Sequence, residues 1–185
     1  MSDDIKRQLE RLIQQTVELS QQHGQSLTIE YDTEWQSQCY QQHAEEGEVV
    51  AWAPVAQQGE CDFSHLENAL ELKLDPLFCA YFTHYFSNNI LAKAPDGGCE
   101  LLQVWNLDDF NRLQENLIGH VLMKRRLKQP VTLFFALTDE EDYMLSVENE
   151  SGKVVLEPVG KPAIRVIAPS LSAFIASLEA APQVR

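Results

Sequence analysis

A chain of 185 residues, 44% hydrophobic and 23% charged, is long enough to bury roughly 70% of its unfolded surface and too apolar to stay disordered. Its 28 Asp and Glu against 14 Lys and Arg leave a net charge of −14, which argues against nucleic acid as a partner because phosphates repel such a surface. The apolar runs, such as Val131 to Leu137, fall far short of the ~20 residues that span a bilayer, and Met1 to Arg7 carries no secretion-signal pattern. One cytoplasmic domain, residues 1–185, is expected, with Cys39, Cys61, Cys79 and Cys99 as free thiols.

The charge is unevenly placed. Between Leu12 and Leu72 there is no Lys or Arg, while Glu18, Glu30, Asp32, Glu34, Glu45, Glu46, Glu48, Glu60, Asp62, Glu67 and Glu71 fall there. A second acidic run is Asp139 to Asp142. Such a concentration suits the binding of a basic partner; the competing explanation is that it merely keeps the protein in solution.

In chain order, Ser2 is a cap for a first helix with Asp3 and Asp4 in its positive first turn. Ile5, Leu9, Leu12, Ile13, Thr16 and Val17 recur at helical spacing up to His23-Gly24. From Gln25 to Gly47 the chain is polar and without period, a length of loop that is usually functional or mobile. A strand is expected from Glu48 to Ala53 and a short helix from Ser64 to Leu70. A second helix is capped by Asp75, with Pro76 at its first position, and runs to about Phe86.

Ile90 to Ala94 and Glu100 to Trp105 read as strands around a turn at Asp96-Gly97-Gly98. Asn106 or Asp108 then caps a long helix with Phe110, Leu113, Leu117, Val121 and Leu122 facing inward, ending in Lys124 to Lys128 before Pro130. Val131 to Leu137, apolar on both faces, is expected to be a central strand. Strands from Tyr143 to Glu148 and Val154 to Glu157 follow, joined by a hairpin at Asn149 to Gly152, and Ile164 to Ala168 adds another. Ser170 caps a last helix carrying Leu171, Phe174, Ile175 and Leu178. The pattern is α+β, a mostly antiparallel sheet flanked by helices.

Motifs for chemistry are absent: no G-x-S-x-G elbow, no phosphate-binding glycine loop and no H-E-x-x-H. Cys61-x3-His65 and Cys79-x4-His84 match no common zinc spacing, and Cys99 has no marked base. Neither metal, cofactor nor catalysis is expected. Lys124 to Lys128 is the one concentration of positive charge; cations favour a helix C-terminus, and contact with anionic lipid is the alternative.

Leu101-Leu-Gln-Val-Trp105, Asp108-Asp-Phe110, Gln114-Glu-Asn-Leu-Ile-Gly-His120, Arg126-Leu-Lys-Gln-Pro130 and Thr132-Leu-Phe134 resemble the Syd family, the bacterial SecY-interacting proteins, within the wider Smi1/Knr4-like group. The resemblance covers most of the chain in layout. It is most specific from about Glu100 to Glu141 and weakest from Gln25 to Cys61. It implies a compact α/β domain with an acidic concave face. It also implies a non-enzymatic regulator, peripheral on the cytoplasmic side of the inner membrane, that binds the basic cytoplasmic loops of SecY and sequesters or checks SecY that is not properly assembled. Basic cytoplasmic loops and an acidic groove are complementary.

The family motif assigns no groove residues, so the candidates come from the chain itself. Glu67, Glu71 and Asp75 fall four apart and share one face if a helix carries across them. Trp105 is a candidate apolar anchor, with Glu115 in the same matching stretch. Gly119 is expected to mark close packing, and His120 to satisfy a buried contact. An immunity-like protein that neutralises a basic toxin is the alternative function, and a small hydrolase using exposed carboxylates a third.

Overall fold

The computed structural model describes residues 2–24 and 26–183. Helix α1 (Ser2–Gln22) places Asp3 and Asp4 at its positive end and buries Ile5, Leu9, Leu12 and Thr16, a 4-3-4 spacing that keeps one stripe inward. Ser2, expected as its cap, is already helical. The polar segment that follows is framed by a two-stranded ribbon, β1 (Thr28–Glu30) antiparallel to β2 (Val49–Ala51), with β3 (Val55–Ala56) beyond it. Gln25, the first residue of the expected loop, lies outside the described residues.

Helix α2 (Ser64–Leu70) stops where Glu71 turns left-handed, at φ 49° and ψ 48°. The shared helical face expected for Glu67, Glu71 and Asp75 is thereby overturned. Pro76 disfavours helical geometry in the residue before it. Asp75 accordingly sits at φ −51° and ψ 127° as the cap of the next helix, α3 (Pro76–Thr83), its carboxylate accepting from the N–H groups of Leu77 and Phe78. That helix ends before Phe86 because β4 (Tyr85–Phe86) pairs with β3, while the Gln57 side chain donates to the carbonyls of Phe82 and Tyr85.

Strands β5 (Ile90–Ala94) and β6 (Gly97–Leu101) form a hairpin in which Ala94 faces Gly97. Pro95-Asp96 makes the turn, starting one residue earlier than expected, with Gly97 and Gly98 already in β6, and Trp105 falls beyond the strand. Asn106 caps α4 (Leu107–Arg126), accepting from Asp109 N–H. Phe110, Gln114, Leu117, Val121 and Lys124 face inward. Leu122 does not: one residue past Val121 is about 100° around the helix, and it is 52% exposed. Gly119 is exposed too, with open space where a Cβ would stand, so close packing does not explain it.

The remaining elements are β7 (Thr132–Thr138), β8 (Tyr143–Glu148), β9 (Val154–Pro158), β10 (Arg165–Ala168), α5 (Leu171–Ala176) and β11 (Glu179–Ala180). Seven strands run in the order β10-β9-β8-β7-β6-β5-β11, antiparallel throughout. The doubly apolar β7 is central, and its neighbours Phe134 and Phe135 show why. The Phe134 ring meets His120 of α4 at 5.3 Å; that of Phe135 meets Tyr81 of α3 and Phe174 of α5, each at 5.6 Å. Helices therefore cover both faces of the sheet, giving the expected α+β architecture. Arg11 ties α1 to α5 by donating to the carbonyls of Ile175 and Leu178 at the end of that helix.

The basic end of α4 divides in the fold. Lys124 is 1% exposed and 3.2 Å from the wholly buried Glu157 carboxylate, and it donates to Gln129 Oε1 and Lys161 O. Arg125 donates to Leu70 O at the end of α2. Lys124 is thus removed from any lipid-facing cluster by its buried partner.

Candidate partner-binding groove

The acidic segment between β1 and β2 is held in shape by its own aromatics. Buried Tyr31 packs against Tyr40 at 4.4 Å, and its hydroxyl pairs with Gln36 Oε1 and His43 Nδ1. The Tyr40 hydroxyl accepts from Asp32 N–H, and Asp32 in turn accepts from Glu34 N–H. Glu46 accepts from the N–H and hydroxyl of Thr33, and these bonds hold its carboxyl below the usual range. The segment is also tied to the start of α4. Ser37 donates to Trp105 O, Trp105 Nε1 to Trp35 O, and Asn106 Nδ2 to Gln36 O.

Between this segment and the first turns of α4 lies a groove of about 450 Å³. Glu30, Asp32, Trp35 and Tyr40 line one side, Asp109, Arg112 and Asn116 the other, with Gln103 and Trp105 between them. Trp105 stacks edge-on against both Tyr40 and Trp52. Glu30, Asp32, Glu34, Glu45, Glu46 and Glu48 are all exposed, and no Lys or Arg lies among them. The Asp109 carboxylate accepts from Trp105 N–H and stands 3.7 Å from the Arg112 guanidinium. A concave surface of stacked aromatic rings rimmed by carboxylates attracts cations, most of all those with an apolar stem.

A family model described as Syd protein (SUKH-2) matches residues 6–180, nearly the whole chain and every residue of the groove. The chain belongs to the Syd family. It is similar to the Protein Syd of Alteromonas mediterranea, 51% identical over 96% of this chain and 97% of that one. Those of Pseudoalteromonas atlantica and Colwellia psychrerythraea are 41% and 43% identical, over 97% and 86% of this chain and the same shares of theirs.

In this Syd-family chain the candidate residues separate into two places. Trp105 lines the groove but is only 5% exposed; its indole also walls a shallow depression beside Ser37, Glu60 and Leu107. Glu115 is exposed on α4 next to the groove-lining Asn116. Glu67, Glu71 and Asp75 lie elsewhere. Leu70 meets Arg125 at the far end of α4, about 30 Å along a 20-residue helix from Trp105. Glu67 accepts from Leu74 N–H there, and Asp75 caps α3. Of the other residues lining the groove, Glu30 and Asp32 were expected only as part of the acidic stretch, and Trp35, Tyr40, Asp109 and Arg112 were not singled out. For Glu30, Asp32 and Trp35 a signal was present in Glu30-Tyr-Asp-Thr-Glu-Trp35, where acids and aromatics interleave; for Tyr40, Asp109 and Arg112 there was none.

A larger cavity of about 740 Å³ lies between the β5–β6 turn, β9, β10 and α5, lined by Leu145, Leu156, Ile167 and Phe174 and rimmed by Asp96, Asp139 and Glu140. Arg165 stands there 3.6 Å from Asp96. Its walls are mainly aliphatic, with Phe174 and Tyr143 the aromatic residues among them.

The nucleophile candidates sit in unfavourable surroundings. Burial pushes the Cys39 thiol up to about 11, and those of Cys61, Cys79 and Cys99 up to about 12. Among the described residues no three His, Cys, Asp or Glu side chains gather as a metal-ligand set. Thr132, His120 and Glu157 do form a chain in which the Thr132 hydroxyl pairs with His120 Nε2 and donates to Glu157 Oε1. Thr132 is 2% and Glu157 0% exposed, and the chain is sealed between α4 and the sheet, where no substrate reaches it.

Proposed function

We propose that this protein is a non-enzymatic regulator that binds the basic cytoplasmic loops of SecY in the groove beside α4, and so sequesters or negatively controls SecY that is unassembled or misassembled. Acting as one domain, it is held peripherally at the cytoplasmic side of the inner membrane through SecY. The observation that carries this reading is the groove itself, an aromatic floor rimmed by Glu30, Asp32 and Asp109 in a Syd-family chain. Trp105 and Glu115 belong with this interface. The carboxylates of Glu67 and Asp75 are engaged by backbone N–H groups and are left out of it. Among the described residues no helix is long and apolar enough to cross a membrane, which agrees with attachment through a partner.

The test is a pull-down from detergent-solubilised membranes with wild type and with the Glu30→Lys/Asp32→Lys double variant, read by mass spectrometry. SecY should be retained by the wild type and lost with the variant. Retention should also weaken several-fold as salt shortens the Debye length from about 10 Å to about 3 Å. Equal recovery of SecY by both proteins, or recovery indifferent to salt, contradicts the proposal. A basic nuclease recovered in its place would favour an immunity-like protein instead.

A further inference from the structure

The groove already holds a cation of its own. Arg112, in the second turn of α4, lays its guanidinium over the Trp35 ring, 5.3 Å from the centroid, with Nη2 3.7 Å from the Asp109 carboxylate. A planar guanidinium is the cation best matched to this pairing, because it stacks on an indole while its fork of N–H donors meets a carboxylate. Yet the grip is loose. The Arg112 side chain is 68% exposed, and 3.7 Å is an ion-pair contact rather than a hydrogen bond. Gln103, in the same lining, is 7% exposed, and among the described residues no donor reaches its Oε1. Exposed Glu30 and Asp32 share the lining, and the ion pair of Arg112 is with Asp109, so the groove presents more carboxylates than Arg112 neutralises.

We propose that Arg112 is a displaceable placeholder for an arginine side chain of the partner, so that the groove prefers arginine-bearing segments to lysine-bearing ones and is partly self-occupied when free. This rests on the groove reading above and names the side chain that reading requires. When a partner's guanidinium takes the Trp35 face and the Asp109 carboxylate, Arg112 swings into solvent at little cost, since exposed ion pairs are weak.

The test uses the full chain and two synthetic peptides of one sequence, one bearing three arginines and the other three lysines, titrated at low salt. Wild type should bind the arginine peptide roughly 3-fold or more tightly than the lysine peptide. Arg112→Gln and Arg112→Lys should each tighten the arginine peptide several-fold, the second while keeping the charge. Trp35→Ala should weaken the arginine peptide more than the lysine peptide and so bring the two affinities together. Equal binding of the two peptides refutes the proposal. So does tightening by Arg112→Gln without tightening by Arg112→Lys, because charge alone then accounts for it. No binding of either peptide by any variant removes the groove reading as well as this one.

Discussion

Replacing Lys124 with methionine keeps most of the side-chain volume and removes the permanent positive charge beside buried Glu157. Lys124 Nζ stands 3.2 Å from Glu157 Oε2, and that oxygen has no hydrogen-bond donor among the described residues. Oε1 is served by the hydroxyls of Thr132 and Ser146. The variant therefore leaves a carboxylate with 0% exposure facing an apolar thioether, and strands Gln129 Oε1 and Lys161 O as well. Breaking one side of a buried pair costs about 3–5 kcal/mol, a large part of the ~5–15 kcal/mol that holds a domain folded. The midpoint of thermal unfolding should drop by roughly 10 °C. Urea unfolding of Lys124→Met, Glu157→Leu and the double variant at neutral pH measures this directly. The double variant should lose less than the two single losses added, by at least about 1 kcal/mol. A Lys124→Met loss below about 1 kcal/mol, or simple additivity of the two, would mean that the pair does not act as a buried unit.

His120 makes a second, pH-dependent prediction. Burial holds its proton affinity below the ordinary value of 6.5, outweighing the opposing pull of Glu157, while Lys124 adds to the depression. As pH falls, the unfolded chain takes up the proton first. The stability that depends on neutral His120 is therefore present above about pH 6.5 and is lost on acidification toward the lower folded value. Urea midpoints measured from about pH 8 to about pH 5 should decline less steeply for His120→Gln than for wild type. At the other end of the molecule, Asp75→Ala removes the acceptor of two helix-terminal N–H groups and should cost about 1–2 kcal/mol in thermal unfolding. It should leave binding of the arginine peptide unchanged, because α3 begins at the far end of α4 from the groove.

Local chemistry made much of the architecture legible in advance. Ser64 to Leu70, Ile90 to Ala94 and Tyr143 to Glu148 appear as the elements expected, because their periods and the turn residues around them all point the same way. Errors gathered where a neighbour distant in sequence decides the ending. Residues Tyr85 and Phe86 leave the expected helix to pair with Val55 and Ala56, and no window of a dozen residues contains that information. The Glu67–Glu71–Asp75 face failed for local reasons: α2 already ends at left-handed Glu71 and Pro76 disfavours helix at Asp75, so a spacing of four means nothing across the break.

By itself the sequence determined the sign and uneven placement of the charge, most of the elements, the central strand, which runs Thr132–Thr138 with Leu137 exposed, and the family resemblance. These follow from composition, from periods of 2 and 3.6 and from motifs read along one stretch of chain. Only the tertiary structure decided which charges are usable. Lys124 and Arg125 are neighbours in a basic run, yet one is walled in against Glu157 and the other closes the end of α2. Glu30 and Asp109 are 79 positions apart, yet they rim one groove. Burial and convergence are properties of contacts between distant segments, and those contacts exist only once β1, β2 and α4 are packed together.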